Sequence, residues 1–135
     1  MNLNFQTDAG LAHKAALGLI VLQADETIEN EFRPLFDIDG VTLNHTRIES
    51  APEVTSETLM RMKAQLTGTA ALLPNARALD VIGYACTSAS TVIGSEEVAK
   101  AVQKAHPNAQ VTNPAAAVLA ALEHLNAKKI GVVTP

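Results

Sequence analysis

Aromatic residues are scarce in this chain: no tryptophan, one tyrosine and three phenylalanines, 3% of 135 residues. Its core must therefore be aliphatic and rich in alanine, as where helices pack closely on a sheet. A single cysteine excludes an internal disulfide and points to a reducing, intracellular setting. Basic charge is also short. Ten Lys and Arg face fourteen Asp and Glu, for a formal net charge of -4, and no basic cluster stands out, which argues against nucleic acid or an acidic membrane as partner. The start, MNLNFQTDAGLAHK, lacks the basic segment of a secretory leader, and the apolar run Ala15 to Leu22 is too short to span a bilayer. The glycines form neither a phosphate loop nor a dinucleotide fingerprint, because the glycine of Leu17-Gly18-Leu19 lies inside an apolar run. There is no Cys-x-x-Cys, and His13, His45, His106 and His124 have no metal-ligand spacing, so no metal site is expected.

What is present is an alternation of apolar runs and helical patterns. Leu17 to Leu22 reads as a parallel strand covered on both faces. A helix should start near Asp25 or Thr27 and end near Leu35 or Phe36, with Pro34 disturbing its end. Asp39-Gly40 signals a turn, and Val41 to Ile48 reads as a second strand. A long helix follows Pro52, capped by Thr55 or Ser56, with Leu59, Met62, Leu66 and Leu73 on one face. The third strand is expected over Leu79 to Ala85. The next regular helix should begin near Ser95, with Val98, Ala101, Val102 and Ala105 as its inner stripe. Gln110 to Thr112 is a short fourth strand. Asn113 then caps a helix with Pro114 at its first position, lined by Val118, Leu119, Leu122 and Leu125. Ile130 to Pro135 reads as a fifth strand. The order βαβαβαβαβ predicts an α/β fold, a doubly wound parallel sheet.

One stretch carries chemistry: Val81-Ile82-Gly83-Tyr84-Ala85-Cys86-Thr87-Ser88-Ala89-Ser90. An apolar strand ends in the chain's only cysteine, and hydroxyl residues follow at once. In such folds ligands bind at the carboxyl ends of the strands, where helices begin and their free N–H groups attract anions. The same field favours a thiolate. Cys86 reads either as a small buried hydrophobe or as a reactive thiol. Thr87, Ser88 and Ser90 read either as caps or as donors to a bound carboxylate. Asp25, after the first strand, and Asn113, after the fourth, should share that edge, as caps or as ligand-orienting groups.

These residues resemble the aspartate/glutamate racemase superfamily, in particular its branch of maleate cis-trans isomerases and arylmalonate decarboxylases. The resemblance rests on LGLIVLQADETIENEF (17–32), RIESAPEVTSETL (47–59), GYACTSASTVIG (83–94) and KIGVVTP (129–135). It implies a cofactor-free cytoplasmic enzyme, homo-oligomeric in full-length form, made of two flavodoxin-like α/β halves with the active site between them. Cys86 matches the first-half cysteine, which is the nucleophile in isomerases and an acid/base thiol in racemases. Thr87 and Ser88 match residues that bind a substrate carboxylate. Decarboxylases of the branch typically lack this cysteine, so its presence favours an isomerase or racemase acting on a small carboxylic or dicarboxylic acid. A decarboxylase-like lyase and a non-catalytic binding module are the alternatives. Two departures stand out: Asp25 where isomerases often have asparagine, and Ala89 where glycine is common. Residues 1–128 would form an N-terminal domain and residues 129–135 the first strand of a truncated second one. On that reading the chain alone lacks the second catalytic position and is expected to be inactive.

Overall fold

The computed structural model describes residues 4–133. Four parallel strands form one sheet in the order β2-β1-β3-β4. β1 (Ala15–Leu22) pairs with β2 (Val41–Ile48) along its full length, Ala15 opposite Val41 and Leu22 opposite Ile48. On its other side, Leu17 to Ile20 pair with β3 (Val81–Tyr84), which in turn pairs with β4 (Gln110–Thr112). The helices are α1 (Ile28–Leu35), α2 (Ser56–Ala70), α3 (Thr87–Ile93), α4 (Ser95–Gln103) and α5 (Pro114–His124). The doubly wound α/β reading is met.

Local chemistry sets the helix ends. The Thr55 hydroxyl accepts the Thr58 N–H at 3.1 Å, and the Thr58 hydroxyl accepts the Thr55 N–H at 2.9 Å, a reciprocal cap that starts α2. Gly94, at φ 89°, separates α3 from α4, a conformation that costs glycine little. The expected helix at Ser95 is thus α4, and α3 fills the space before it.

The core lies between the sheet and α2, α3 and α4. Ile20, Ile48, Ile82 and Tyr84 meet Leu59, Met62 and Leu66 of α2, Ala89 and Ile93 of α3, and Val98 and Val102 of α4. The opposite face is open. Leu17, Leu19, Leu43 and Val81, with Phe32 of α1, Phe36 just beyond its end, and Pro114 and Ala117 of α5, line an apolar groove of about 500 Å³.

Three sequence expectations are corrected. Leu73 is buried, as expected, but lies beyond the end of α2 at Ala70. Val118, Leu119 and Leu125 are exposed rather than inward, because α5 buries none of its residues against the rest of the chain. The fifth strand is not formed over 130–133, which carry no regular structure, and Val133 is 97% exposed. A strand needs a hydrogen-bonding neighbour, and none of the described residues pairs with this segment; Thr134 and Pro135 lie outside the described residues. Among the described residues no helix is long and apolar enough to cross a membrane.

The two sheet faces respond differently to added volume. A Cβ on Gly18 would meet Leu73, Leu79 and Ile82 at 2.8, 3.1 and 3.2 Å, all in the closed core. A Cβ on Gly83 would meet only the tip of Leu19, at 2.9 Å, which borders the open groove and has room to move. Gly18→Ala is therefore expected to destabilise the chain by about 1–3 kcal/mol. Gly83→Ala is expected to cost less than about 1 kcal/mol. Urea unfolding of both variants measures the difference.

Candidate functional site

Because all strands run the same way, the loops after β1, β3 and β4 emerge at one edge. The Ala85 N–H donates to the Ile20 carbonyl at 2.9 Å, so the chain stays beside β1 until Cys86. Cys86 then turns to cap α3. Its Sγ accepts the Ala89 N–H at 3.4 Å, and its carbonyl accepts the Ser90 N–H at 3.0 Å. Cys86 is 7% exposed and belongs to the core cluster. Cys86 is thus a buried residue whose sulfur faces one of the N–H groups that open α3. Thr87 and Ser88 form the exposed first turn of α3. Ser90, one turn on, is buried, and its Oγ has no hydrogen-bond partner among the described residues.

Asp25 reaches the same edge from β1. Its Oδ1 accepts the N–H groups of Thr27 and Ile28 at 2.8 and 2.9 Å and the Thr27 hydroxyl at 3.3 Å. These bonds, the Ile28 and Thr27 amides foremost, hold its carboxyl below the ordinary value, with a smaller contribution from Arg47. Asp25, rather than Thr27, therefore satisfies the start of α1. Asn113 arrives from β4. It is buried, and its Oδ1 accepts the Ala116 N–H at 3.0 Å and the Ser95 hydroxyl at 3.2 Å, which ties the start of α4 to the start of α5. The fold thus brings Asp25, Cys86 and Asn113 to one edge, and commits the Oδ1 of Asp25, the Sγ of Cys86 and the Oδ1 of Asn113 each to the start of a helix. Thr112, Asn113 and Ala85 border the apolar groove there; Cys86 is not among its lining residues.

Arg47 matters more than its sequence context revealed. It donates from Nη1 to the carbonyls of Leu22 and Asp25 at 3.0 and 2.7 Å and pairs through Nη2 with Glu29 at 2.7 Å. It fastens the loop that carries Asp25. Its register opposite Val21, near the end of β1, is the signal that could have found it, but only once the strand pairing is known. Among the described residues, no three His, Cys, Asp or Glu side chains come together to hold a metal ion.

The Asp25 cap is testable. Asp25→Ala is expected to cost about 0.5–2 kcal/mol at neutral pH, and Asp25→Asn only a few tenths, because asparagine caps about equally well. The folded-state pKa lies below the ordinary 3.8. The contribution is therefore fully present above that value and lost as pH falls through the folded one. Urea unfolding over a descending pH series should show the gap between wild type and Asp25→Ala closing on the acid side.

No protein-family model matches the chain, and no curated protein matches it significantly. Solved structures do match. The maleate isomerase Iso from Pseudomonas putida superposes with a TM-score of 0.66 at 26% identity, over 84% of this chain and 50% of that one. A cysteine-to-alanine form of the same enzyme, with maleate, superposes with a TM-score of 0.67. A cysteine-to-serine mutant of the Nocardia farcinica maleate cis-trans isomerase, holding a covalently bound succinylcysteine intermediate, matches with a TM-score of 0.69 at 28% identity, over 83% of this chain and 49% of that one. The chain spans about half the length of these structures, as expected of a half-enzyme resemblance, and over that span it has the fold of the maleate isomerases.

Proposed function

We propose that this chain supplies half of a cofactor-independent, isomerase-type active site for a small dicarboxylic acid, with Cys86 as the nucleophile. The observation that carries the reading is the placement of Cys86 between β3 and α3, its sulfur accepting the Ala89 N–H at the start of α3, in a chain similar to an isomerase mutant that holds a succinylcysteine. In the reaction, the thiolate forms an S–C bond to one alkene carbon. The π pair moves to the neighbouring carbon and is delocalised into its carboxylate. Rotation about the resulting single bond and expulsion of the thiolate then give the trans isomer, with no net gain or loss of atoms. Thr87 and Ser88, exposed beside the first amides of α3, are proposed to hold a substrate carboxylate and the charge that develops on it.

Asp25 bears on substrate choice. Its carboxyl is held in the ionised form by the amides it caps, so it sets a negative charge at the edge where a dicarboxylate would enter. Asn113, with its Oδ1 bound to Ala116 and Ser95, is proposed to shape the site rather than to bind substrate directly. The homo-oligomer and the cytoplasmic setting implied by the resemblance belong to the same proposal.

The half-reaction tests it. Incubation of the chain with maleate is expected to add the mass of one maleate to Cys86, faster than to free cysteine and saturably in maleate. Cys86→Ser should abolish the adduct. Asp25→Asn should speed its formation about threefold or more by removing a like charge. Intact-mass and peptide mass spectrometry read all three. An adduct that forms no faster than on free cysteine, without saturation, overturns the nucleophile assignment.

A further inference from the structure

The edge of the sheet opposite to Cys86 holds a small pocket of about 180 Å³, bordered by Asn75, Arg77 and Leu79 before β3 and by His106, Asn108 and Ala109 before β4. The length of β3, about 13 Å, separates it from Cys86. His106 forms its anchored wall. That residue is 7% exposed, and its Nε2 lies 2.9 Å from the carbonyl of Ala70, the last residue of α2. A carbonyl only accepts, so Nε2 carries a proton. Nδ1 has no hydrogen-bond partner among the described residues, yet the sealed side-chain atoms left without one are Ser50 Oγ, Gln65 Oε1 and Ser90 Oγ. Nδ1 is therefore open to the pocket. Arg77 is exposed and makes no ion pair among the described residues. No carboxylate lines the pocket, and Asp80, the nearest along the chain, has its Oδ2 on the Ala16 N–H at 2.7 Å. The main-chain N–H groups of residues 75–79 donate to no main-chain carbonyl of the described residues, which leaves the donors of that loop to solvent or to a ligand.

We propose that this pocket binds a small oxyanion, with Arg77 as its cation and His106, Asn75 and Asn108 as further donors. The proposal does not depend on the role of Cys86. The guanidinium fork matches the paired oxygens of a sulfate, phosphate or carboxylate. The protonated ring of His106 presents Nδ1–H to the anion while Nε2–H stays on the Ala70 carbonyl, so the anion meets a donor already fixed in place. The side-chain amides of Asn75 and Asn108 add N–H groups without charge. The volume is that of about six water molecules. It admits a sulfate, a phosphate or a short dicarboxylate, and is below the range usual for larger organic ligands. The chain carries a net charge of -4, so its surface at large repels anions, and retention of one calls for a local site.

The test follows the His106 ring protons by NMR during titration with sulfate and, separately, with succinate, in a mildly acidic buffer free of other oxyanions. The intact 135-residue chain is used as wild type, Arg77→Ala and Arg61→Ala. Arg61 is an exposed arginine on α2, paired with Glu57, and controls for loss of one positive charge. The His106 resonances are expected to shift saturably in the wild type. Arg77→Ala should weaken the binding about threefold to tenfold, the range of a charge-assisted contact near the surface, and Arg61→Ala should leave it unchanged. Saturation by either anion upholds the site, and the tighter of the two tells whether its ligand carries a tetrahedral or a carboxylate head. Arg77→Ala removes an unpaired side chain, so its fold is expected to persist, and urea unfolding without anion checks this. His106 resonances that do not saturate with either anion overturn the proposal. So does an equal loss of affinity in both arginine variants, which would mark the binding as an unspecific response to charge.

Discussion

The strand β1 is hydrogen-bonded on both sides, to β2 along all of its length and to β3 through Leu17 to Ile20. Both of its faces are covered near its end, where Ile20 and Val21 have no exposure. The rest of the molecule is arranged around that constraint. From β1 the chain moves outward to β2, then crosses back to β3 on the other side. The loops that leave β1 and β3 therefore diverge, and a crevice opens between them at the carboxyl edge. Asp25 and Cys86 stand on either side of that divergence as a consequence of strand order.

Cys86 serves the fold and the proposed chemistry with the same atoms. Its sulfur receives the Ala89 N–H that α3 would otherwise leave unsatisfied. A sulfur is a poorer acceptor than the serine or asparagine oxygen usual at such a position, so the cap is weaker than it could be. The arrangement gains value when the sulfur carries charge, because an N–H directed at an anion forms a stronger bond than one directed at a neutral acceptor. The neighbouring caps use oxygen in the ordinary way: Asp25 on α1, Thr55 on α2 and Asn113 on α5. Sulfur takes that place at α3 alone among these.

The two faces of the sheet are unequal. Toward α2, α3 and α4 the packing is closed, and Gly18 is there because Leu73, Leu79 and Ile82 leave no room for a methyl group. Toward α1 and α5 an apolar groove remains open, and α5 keeps Val118 and Leu119 exposed. With so few aromatic side chains, the only ring pair of the described residues, Phe32 and Phe36 at 5.5 Å, stands at the rim of that groove rather than in the core.

Elements whose signals are local were legible in the amino-acid sequence. The apolar run at 17–22, the turn at Asp39-Gly40 before the strand at 41–48 and the cap at Asn113 all arise within a few residues, because strand period and capping hydrogen bonds are short-range. The motif GYACTSAS likewise carried the resemblance without any knowledge of the fold. Other features depend on segments far apart in the chain and follow from how those segments pack. Arg47 fastens the loop after β1 because the parallel register sets it beside the end of that strand. Val118 and Leu119 have an inward-looking pattern but no surface to meet, since amphipathic spacing specifies a face and not its partner. Residues 130–133 have strand-like composition but no strand, because a strand exists only where another supplies its hydrogen bonds. Tyr84, an ordinary core residue in the sequence, has its hydroxyl on Met62 Sδ because α2 packs against β3.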